Sequence, residues 1–340
     1  MAAPAASTIG GLDFADPALE ASVRAGLERV EVRLRAAATS EFGFVTEAAR
    51  HLMQAGGKRF RPLLALLAAN FGDPAAAGVV ESAVVVELTH LATLYHDDVM
   101  DEATARRGAV SANSRWGNTV AILTGDFLFA RASDVLAGLG PDAVRLQAQT
   151  FGRLVTGQIR ETAGPAAGED PIDHHLLVLA EKTGSLIATS AYFGATFAAV
   201  PPAEAAALRR YGELVGIAFQ LSDDLLDITA DRSESGKVPG TDLREGIPTL
   251  PALFAMRAAA EDGPVGGEPA RLAELLSGPV PEQSIAEALQ LLRRSPAVDA
   301  ARGVLRSYAD QARALLTELP DVPARAALES LADFVVSRTG

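Results

Sequence analysis

Cysteine is absent from the 340 residues, so disulfides, thiolate metal sites and cysteine nucleophiles are excluded together. Histidine is scarce, at five, and any metal must be held by carboxylates or by those few imidazoles. Cations are in deficit: 30 Lys and Arg against 43 Asp and Glu give a formal charge of −13, which argues against a nucleic-acid partner held by bulk charge. The first twenty residues lack the basic start and continuous apolar stretch of a secretory signal. The best membrane candidate, Ser185 to Ala203, carries no charge but is broken by Ser, Thr, Tyr and Gly and ends in Pro201-Pro202, so it reads as a buried helix. A cytoplasmic protein with a short N-terminal tail over 1–16 is expected. No Ser/His/Asp arrangement and no glycine-rich nucleotide fingerprint is visible.

What is present is apolar and helical. With 49% hydrophobic and 21% charged residues, the chain has material for a large core, and its length suits one large domain or two ordinary ones. Apolar residues recur at spacings of three and four along 17–38, 43–71, 79–101, 117–137, 142–163, 172–199, 203–229, 248–261, 269–277, 282–294, 297–317 and 322–338. Ala, Leu, Glu and Arg dominate these runs, and sustained alternation is missing, which predicts an all-α protein. No break is long enough to be a clear interdomain linker, so 17–340 is taken as one domain. Residues 229–247 differ in kind, mixing Gly, Ser, charge and one Pro, and read as a flap over a charged ligand.

Two acidic segments stand out. Asp97-Asp98-Val99-Met100-Asp101 closes one apolar helix, and Asp223-Asp224-Leu225-Leu226-Asp227 closes another. On a helix the first and last Asp of each lie one turn apart on a shared face, where like charges repel unless a cation sits between them. Oxygen ligands without Cys suit a hard cation, and Mg²⁺ binds through a few carboxylates plus substrate phosphates. A phosphorylated substrate follows. Basic groups near the motifs agree: Lys58, Arg59 and Arg61 between Gly56-Gly57 and Pro62, then Arg106-Arg107-Gly108, Lys182-Thr183-Gly184 and Lys237. Arg forks match phosphate oxygens and Lys supplies a point charge, so the set suits diphosphates. His90, two turns before Asp98, is a candidate phosphate hydrogen-bond donor.

GGKRFRP (56–62), ELTHLATLYHDDVMDEATARRG (87–108), GDFLFARA (125–132), EKTG (181–184), GIAFQLSDDLLD (216–227) and GKVPGTDLREG (236–246) together resemble the trans-isoprenyl diphosphate synthases of the polyprenyl synthetase family, in consistent order. The resemblance implies an all-α bundle around a deep cavity, usually a homodimer. It implies condensation of isopentenyl diphosphate with an allylic diphosphate. Asp97 and Asp101, supported by Asp98, would hold two Mg²⁺, and Asp223, with Asp224 and Asp227, a third. Arg106, Lys182, Thr183, Gln220 and Lys237 would grip the allylic diphosphate; Lys58, Arg61, His90 and Arg107 would hold isopentenyl diphosphate. Ile247 and Gln158 depart from the pattern, where many relatives place a basic residue and Glu.

In such enzymes the product grows past residues one or more turns before the first motif. Ala92 and Thr93 are small and form no floor there, which implies a medium or long product of about C30 to C50, one helical turn being on the order of one isoprene unit, as would supply a quinone side chain. A long product is expected to be released to a membrane. A short-chain farnesyl or geranylgeranyl diphosphate synthase is the alternative within the family. A terpene cyclase would need neither the cradle at Lys58, Arg61 and His90 nor a second acidic motif. A non-catalytic subunit would tend to lose those motifs, although dependence on a small accessory subunit is compatible with keeping them.

Overall fold

The computed structural model describes residues 9, 12–229, 239–261 and 267–339. These form two compact units, one drawn from Met1–Gly152, Leu186–Gly212 and Leu315–Ser330, the other from Arg153–Ser185, Glu213–Ala314 and Leu331–Gly340. Apart from one two-stranded hairpin and an isolated bridge, the described secondary structure is helical, as the composition predicts.

The first unit holds α1 (Pro17–Ala37), α2 (Gly43–Gln54), α3 (Phe60–Ala69), α4 (Ala77–Met100), α5 (Ala112–Trp116) and α6 (Asn118–Ala137), with further helical residues from 186–212 and 315–330. Asp16 starts α1 by accepting from Leu19 N at 2.7 Å, with Pro17 at the first helical position, where its missing N–H costs nothing. Val23, Val30 and Leu34 fall on its buried stripe. Every residue from Ser82 to Thr89 of α4 is buried, because α4 packs on α1, α3 and α6. Its Leu88, Leu91 and Tyr95 join Val30, Leu52 and Leu128 in the core; each such side chain contributes about 1.5–3 kcal/mol on burial. The Tyr95 hydroxyl donates to Ala48 O at 2.5 Å and accepts from Leu52 N at 3.2 Å, fixing α2 beside the end of α4 that carries the first acidic motif.

α7 (Pro141–Ala163), α9 (Ser185–Phe197) and α10 (Pro202–Thr229) contribute residues to both units. The second unit also holds α8 (Pro171–Leu179), a π-helical turn (Ala180–Gly184), α11 (Thr241–Glu245), α12 (Leu250–Glu261), α13 (Glu268–Leu275) and α14 (Ile285–Arg294). α15 (Pro296–Leu316) and α16 (Pro323–Ser337) complete the chain's helices. α12 packs on α8, α13 and α14.

Three places depart from the periodicity. The apolar run 43–71 is two helices, because Gly56 and Gly57 take φ of +91° and +152° and stop α2 before Phe60 opens α3. Ala105–Arg106 and Ala109–Val110 form an antiparallel hairpin that hydrophobic spacing does not reveal. Within 229–247, Thr241–Glu245 is helical, and 230–238 lies outside the described residues. Helix α9 has only 13 residues, too short for a bilayer core of about 30 Å at 1.5 Å per residue. Among the described residues α4 alone is long and apolar enough to cross a membrane by length and composition, and 61% of its apolar window is buried inside the protein.

Candidate active site

The first acidic motif ends α4. Asp97 is part-buried, Asp101 exposed, and Asp98 fully buried. Arg106 Nε donates to Asp98 Oδ1 at 2.6 Å, and its Nη2 lies 3.7 Å from Asp101 Oδ2. The expected cation between the carboxylates is thus partly supplied by the chain. Burial pushes the Asp98 carboxyl up, against the pull of the Arg106 guanidinium. Asp98 Oδ2 is buried without a hydrogen-bond partner.

The hairpin explains how Arg106 and Arg107 serve different places. Arg106 pairs with Ala109, leaving Arg107 and Gly108 as a two-residue turn with φ of +54° and +76°. Positive φ at both central residues is the hairpin turn that matches strand twist, and it costs a non-glycine residue energy. The turn directs Arg107 away from the carboxylates and onto the Gly56-Gly57 loop, where Nη1 donates to Gly56 O at 2.5 Å and Leu52 O at 3.3 Å. A Cβ on Gly57 would stand 2.8 Å from Arg107 Nη1, so a side chain there would displace the guanidinium tip, and the φ of +152° also favours glycine.

Arg59 also has a left-handed backbone, φ +48°. Its side chain turns inward, donating to Glu31 Oε1, to the buried Glu87 at 3.1 Å and to Met53 O at 3.3 Å. Arg61 has a buried Nε without a hydrogen-bond partner, and burial lowers its guanidinium to about 10, with Arg107 pushing the same way and Glu87 opposing. Burial, then Arg61, Arg107, Arg106 and Arg59, hold the His90 imidazole well below the usual histidine value, so it is neutral at neutral pH. Lys58 is exposed on the same loop. Arg61, His90 and Arg107 therefore come together, in a pocket of positive charge answered within the protein chiefly by Glu87 and Glu31.

A depressed imidazole has a consequence for stability. Below the unfolded value of about 6.5 the unfolded chain takes up a proton that folded His90 does not, so stability is fully present above that value and falls as pH drops through it. Replacing His90 with Gln is expected to flatten the fall in melting temperature between about pH 6.5 and 5. An unchanged profile in the variant would contradict this placement of His90.

The second motif, in the second unit, is engaged residue by residue. Asp223 Oδ1 accepts from Arg338 Nη2 at 2.6 Å, and that guanidinium lies 4.6 Å from the centre of the Phe219 ring. Asp224 Oδ1 accepts from Gln220 Nε2 at 3.2 Å, while its Oδ2 lies 3.3 Å from His175 Nε2. Asp227 accepts from Thr241 N at 3.1 Å and Asp242 N at 3.2 Å, holding the first turn of α11. Lys182 and Thr183 sit in the π-turn, a distortion often found at functional sites. Lys182 Nζ donates to Glu161 Oε2 at 2.5 Å, and Gln158 donates to the same oxygen at 3.0 Å. A Cβ on Gly157 would stand 2.6 Å from Lys182 N, so α7 reaches the turn only through glycine. Lys237 lies outside the described residues.

Ala92 is fully buried within the core cluster of the first unit. Thr93 is part-buried, its hydroxyl donating to His90 O at 2.8 Å, on the face of α4 that also carries His90 and Asp97. Sequence reasoning missed Glu87, Glu31, Glu161, His175 and Arg338. The first two carry no pattern of their own, and the last three come from parts of the chain distant in sequence from the motifs they touch. A separate groove of about 760 Å³, lined by Ser22, Arg29, Val32, Pro74 and Val80 among others, includes none of the motif residues.

A carboxylate turn with an orphaned buried oxygen thus lies near a guanidinium with an unpartnered Nε and a neutral imidazole, an arrangement able to take up a cation and an anion side by side. The polyprenyl synthetase family profile matches residues 43–290. Nonaprenyl diphosphate synthase of Mycobacterium tuberculosis is 50% identical over 337 residues, covering 98% of this chain and 99% of that one. Heptaprenyl diphosphate synthase component 2 of Geobacillus stearothermophilus is 37% identical over 319 residues, covering 92% and 95%. The crystal structure of geranylgeranyl pyrophosphate synthase from Corynebacterium glutamicum, complexed with calcium and isoprenyl diphosphate, gives a TM-score of 0.85 at 47% identity, covering 97% and 100%. The chain belongs to the polyprenyl synthetase family and is a prenyltransferase.

Proposed function

We propose that this enzyme condenses isopentenyl diphosphate with an allylic diphosphate, repeatedly, to an all-trans-polyprenyl diphosphate of about C30 to C50 that supplies a quinone side chain. The observation that carries the reading is the convergence of Arg61, Arg107 and neutral His90 next to the carboxylates of Asp97, Asp98 and Asp101. The two compact units act as one catalytic domain, consistent with a family match that runs through both.

The cofactor is Mg²⁺, in about three copies with substrate bound, held by Asp97, Asp98 and Asp101 and by Asp223, Asp224 and Asp227. Among the described residues no three His, Asp or Glu side chains already converge as a ligand set. That suits Mg²⁺, which takes a few carboxylates and completes its shell with water and phosphate oxygens. Asp98 Oδ2 and Asp224 Oδ2 are buried acceptors without a hydrogen-bond partner. When bound, the metal neutralises charge on the departing pyrophosphate.

Arg106, Lys182, Thr183, Gln220 and Lys237 bind the allylic diphosphate and stabilise the charge that grows as its C–O bond breaks. Lys58, Arg61, His90 and Arg107 hold isopentenyl diphosphate so that its double bond faces the allylic cation. Neutral His90 donates one N–H to a phosphate oxygen without adding charge. Arg61, part-buried with an unpartnered Nε, gains most when the anion arrives. Pyrophosphate accepts the proton lost in the last step, so no side chain is required as base. Thr93, part-buried on the face of His90 and Asp97, leaves the tail room to grow, whereas Ala92 is enclosed in the core and does not line its path.

The enzyme works in the cytoplasm as a homodimer and releases its product to a membrane. The heptaprenyl relative's designation as a component raises the reading of a small accessory subunit. Pyrophosphate release tests the reaction class: it is expected with Mg²⁺ only when both isopentenyl and allylic diphosphates are supplied. Release from the allylic substrate alone, with a cyclic hydrocarbon formed, would replace this reading with that of a terpene cyclase.

A further inference from the structure

We propose that His175 is a positioning residue for the second acidic motif, holding Asp224 in its metal-binding orientation through Nε2; this rests on the reading of that motif as a metal site. The three carboxylates of the motif are supported in three different ways. Asp223 has the Arg338 guanidinium, and Asp227 has the backbone N–H groups of Thr241 and Asp242. Asp224 has no cation among the described residues: Gln220 takes one oxygen, and the other faces His175.

Both side chains are buried, 10% exposed for His175 and 7% for Asp224. The facing atoms, His175 Nε2 and Asp224 Oδ2, are 3.3 Å apart, and neither makes a hydrogen bond in the structure. Two buried polar atoms this close that lack partners are best satisfied by each other. A neutral imidazole with its proton on Nε2 donates to the carboxylate, so the role needs no change of charge.

The local sequence fixes the ring. Asp170 caps α8 by accepting from Ile172 N at 2.8 Å and Asp173 N at 3.3 Å, with Pro171 setting the first helical φ. The preceding His174 turns elsewhere, its Nε2 3.2 Å from Arg160 O and its Nδ1 3.2 Å from Glu169 Oε1. Consecutive helical residues point about 100° apart, so only His175 reaches Asp224. With Gln220 bonded to one oxygen and His175 facing the other, a donor stands ready on each side of the carboxylate. Groups that orient a ligand in this way typically govern metal affinity as strongly as some ligands do.

The test uses the full chain in thermal melts with inorganic pyrophosphate and increasing Mg²⁺, alongside the Mg²⁺ dependence of turnover. His175→Phe keeps the bulk and removes the donor; His175→Gln restores an N–H near Nε2. The Phe variant is expected to need about tenfold more Mg²⁺ or beyond in both assays, with its metal-free melt near the parent's, and the Gln variant to recover most of that loss. A Phe variant within about twofold of the parent, or a Gln variant no better than Phe, overturns the proposal. Should the Phe variant melt early, His175→Leu replaces it, alone and added to Asp224→Asn: it is expected to raise the Mg²⁺ midpoint of the parent and to change that of Asp224→Asn no further, and an additive change overturns the role. An Asp224→Asn midpoint equal to the parent's would sink the metal reading itself. A shifted midpoint there beside an unaltered His175→Phe sinks only the role of His175.

Discussion

Asp97→Ala and Asp223→Ala variants are expected to lose turnover by about 10³-fold or more, about 4 kcal/mol of barrier, while keeping their helical circular dichroism. The two should fail for one chemical reason and differ in stability. Asp97 is part-buried at the end of α4, beside the buried Asp98–Arg106 pair, which survives its removal. Asp223 balances Arg338, whose Nη1 is already buried without a partner, so Asp223→Ala leaves a guanidinium short of its carboxylate. Breaking such a pair from one side costs more than the pair contributes. Asp223→Ala should therefore melt lower than Asp97→Ala, and paired activity and melting curves separate the two effects. Unchanged turnover in either variant would sink the role given to its motif.

Thr93→Phe is expected to shorten the product from about C30–C50 to about C15–C20, since it puts an aromatic ring one turn before Asp97. Thr93 is the better site for this test than Ala92. It shares the part-buried face with His90 and Asp97, and its hydroxyl bonds to His90 O of its own helix, an interaction whose loss costs about 1 kcal/mol. Ala92 is wholly buried in the core, where a Phe would overpack by about 1–3 kcal/mol or more and confuse shortened product with weakened fold. Chromatography of the dephosphorylated products reads the effect. A product from Thr93→Phe as long as the parent's would mean that the tail does not pass this face.

The helices were legible in the sequence because their apolar spacing is regular and their caps conventional, as at Asp16-Pro17 and Asp170-Pro171. The break at Gly56-Gly57 inside the run 43–71 was not, since apolar residues on both sides keep a helical period. The hairpin at 105–110 escaped because its turn uses Arg107 in a left-handed conformation, which composition alone would reserve for Gly, Asn or Asp. The chemistry-bearing motifs were readable as strings, and Arg61, His90 and Arg107 do converge. What strings could not convey is who answers whom. Glu87 pairs with Arg59 from a helix otherwise apolar around it, Glu161 holds Lys182 from α7, and Arg338 reaches Asp223 across 115 positions. Those contacts are made by tertiary packing and have no local signature.

The most direct test of the account is elongation itself. Purified protein, Mg²⁺ and labelled isopentenyl diphosphate are incubated separately with dimethylallyl, geranyl, farnesyl and geranylgeranyl diphosphates, and the dephosphorylated products are sized. A ladder of all-trans products ending at about C30 or beyond is the expected result. No incorporation of label from any primer would contradict it.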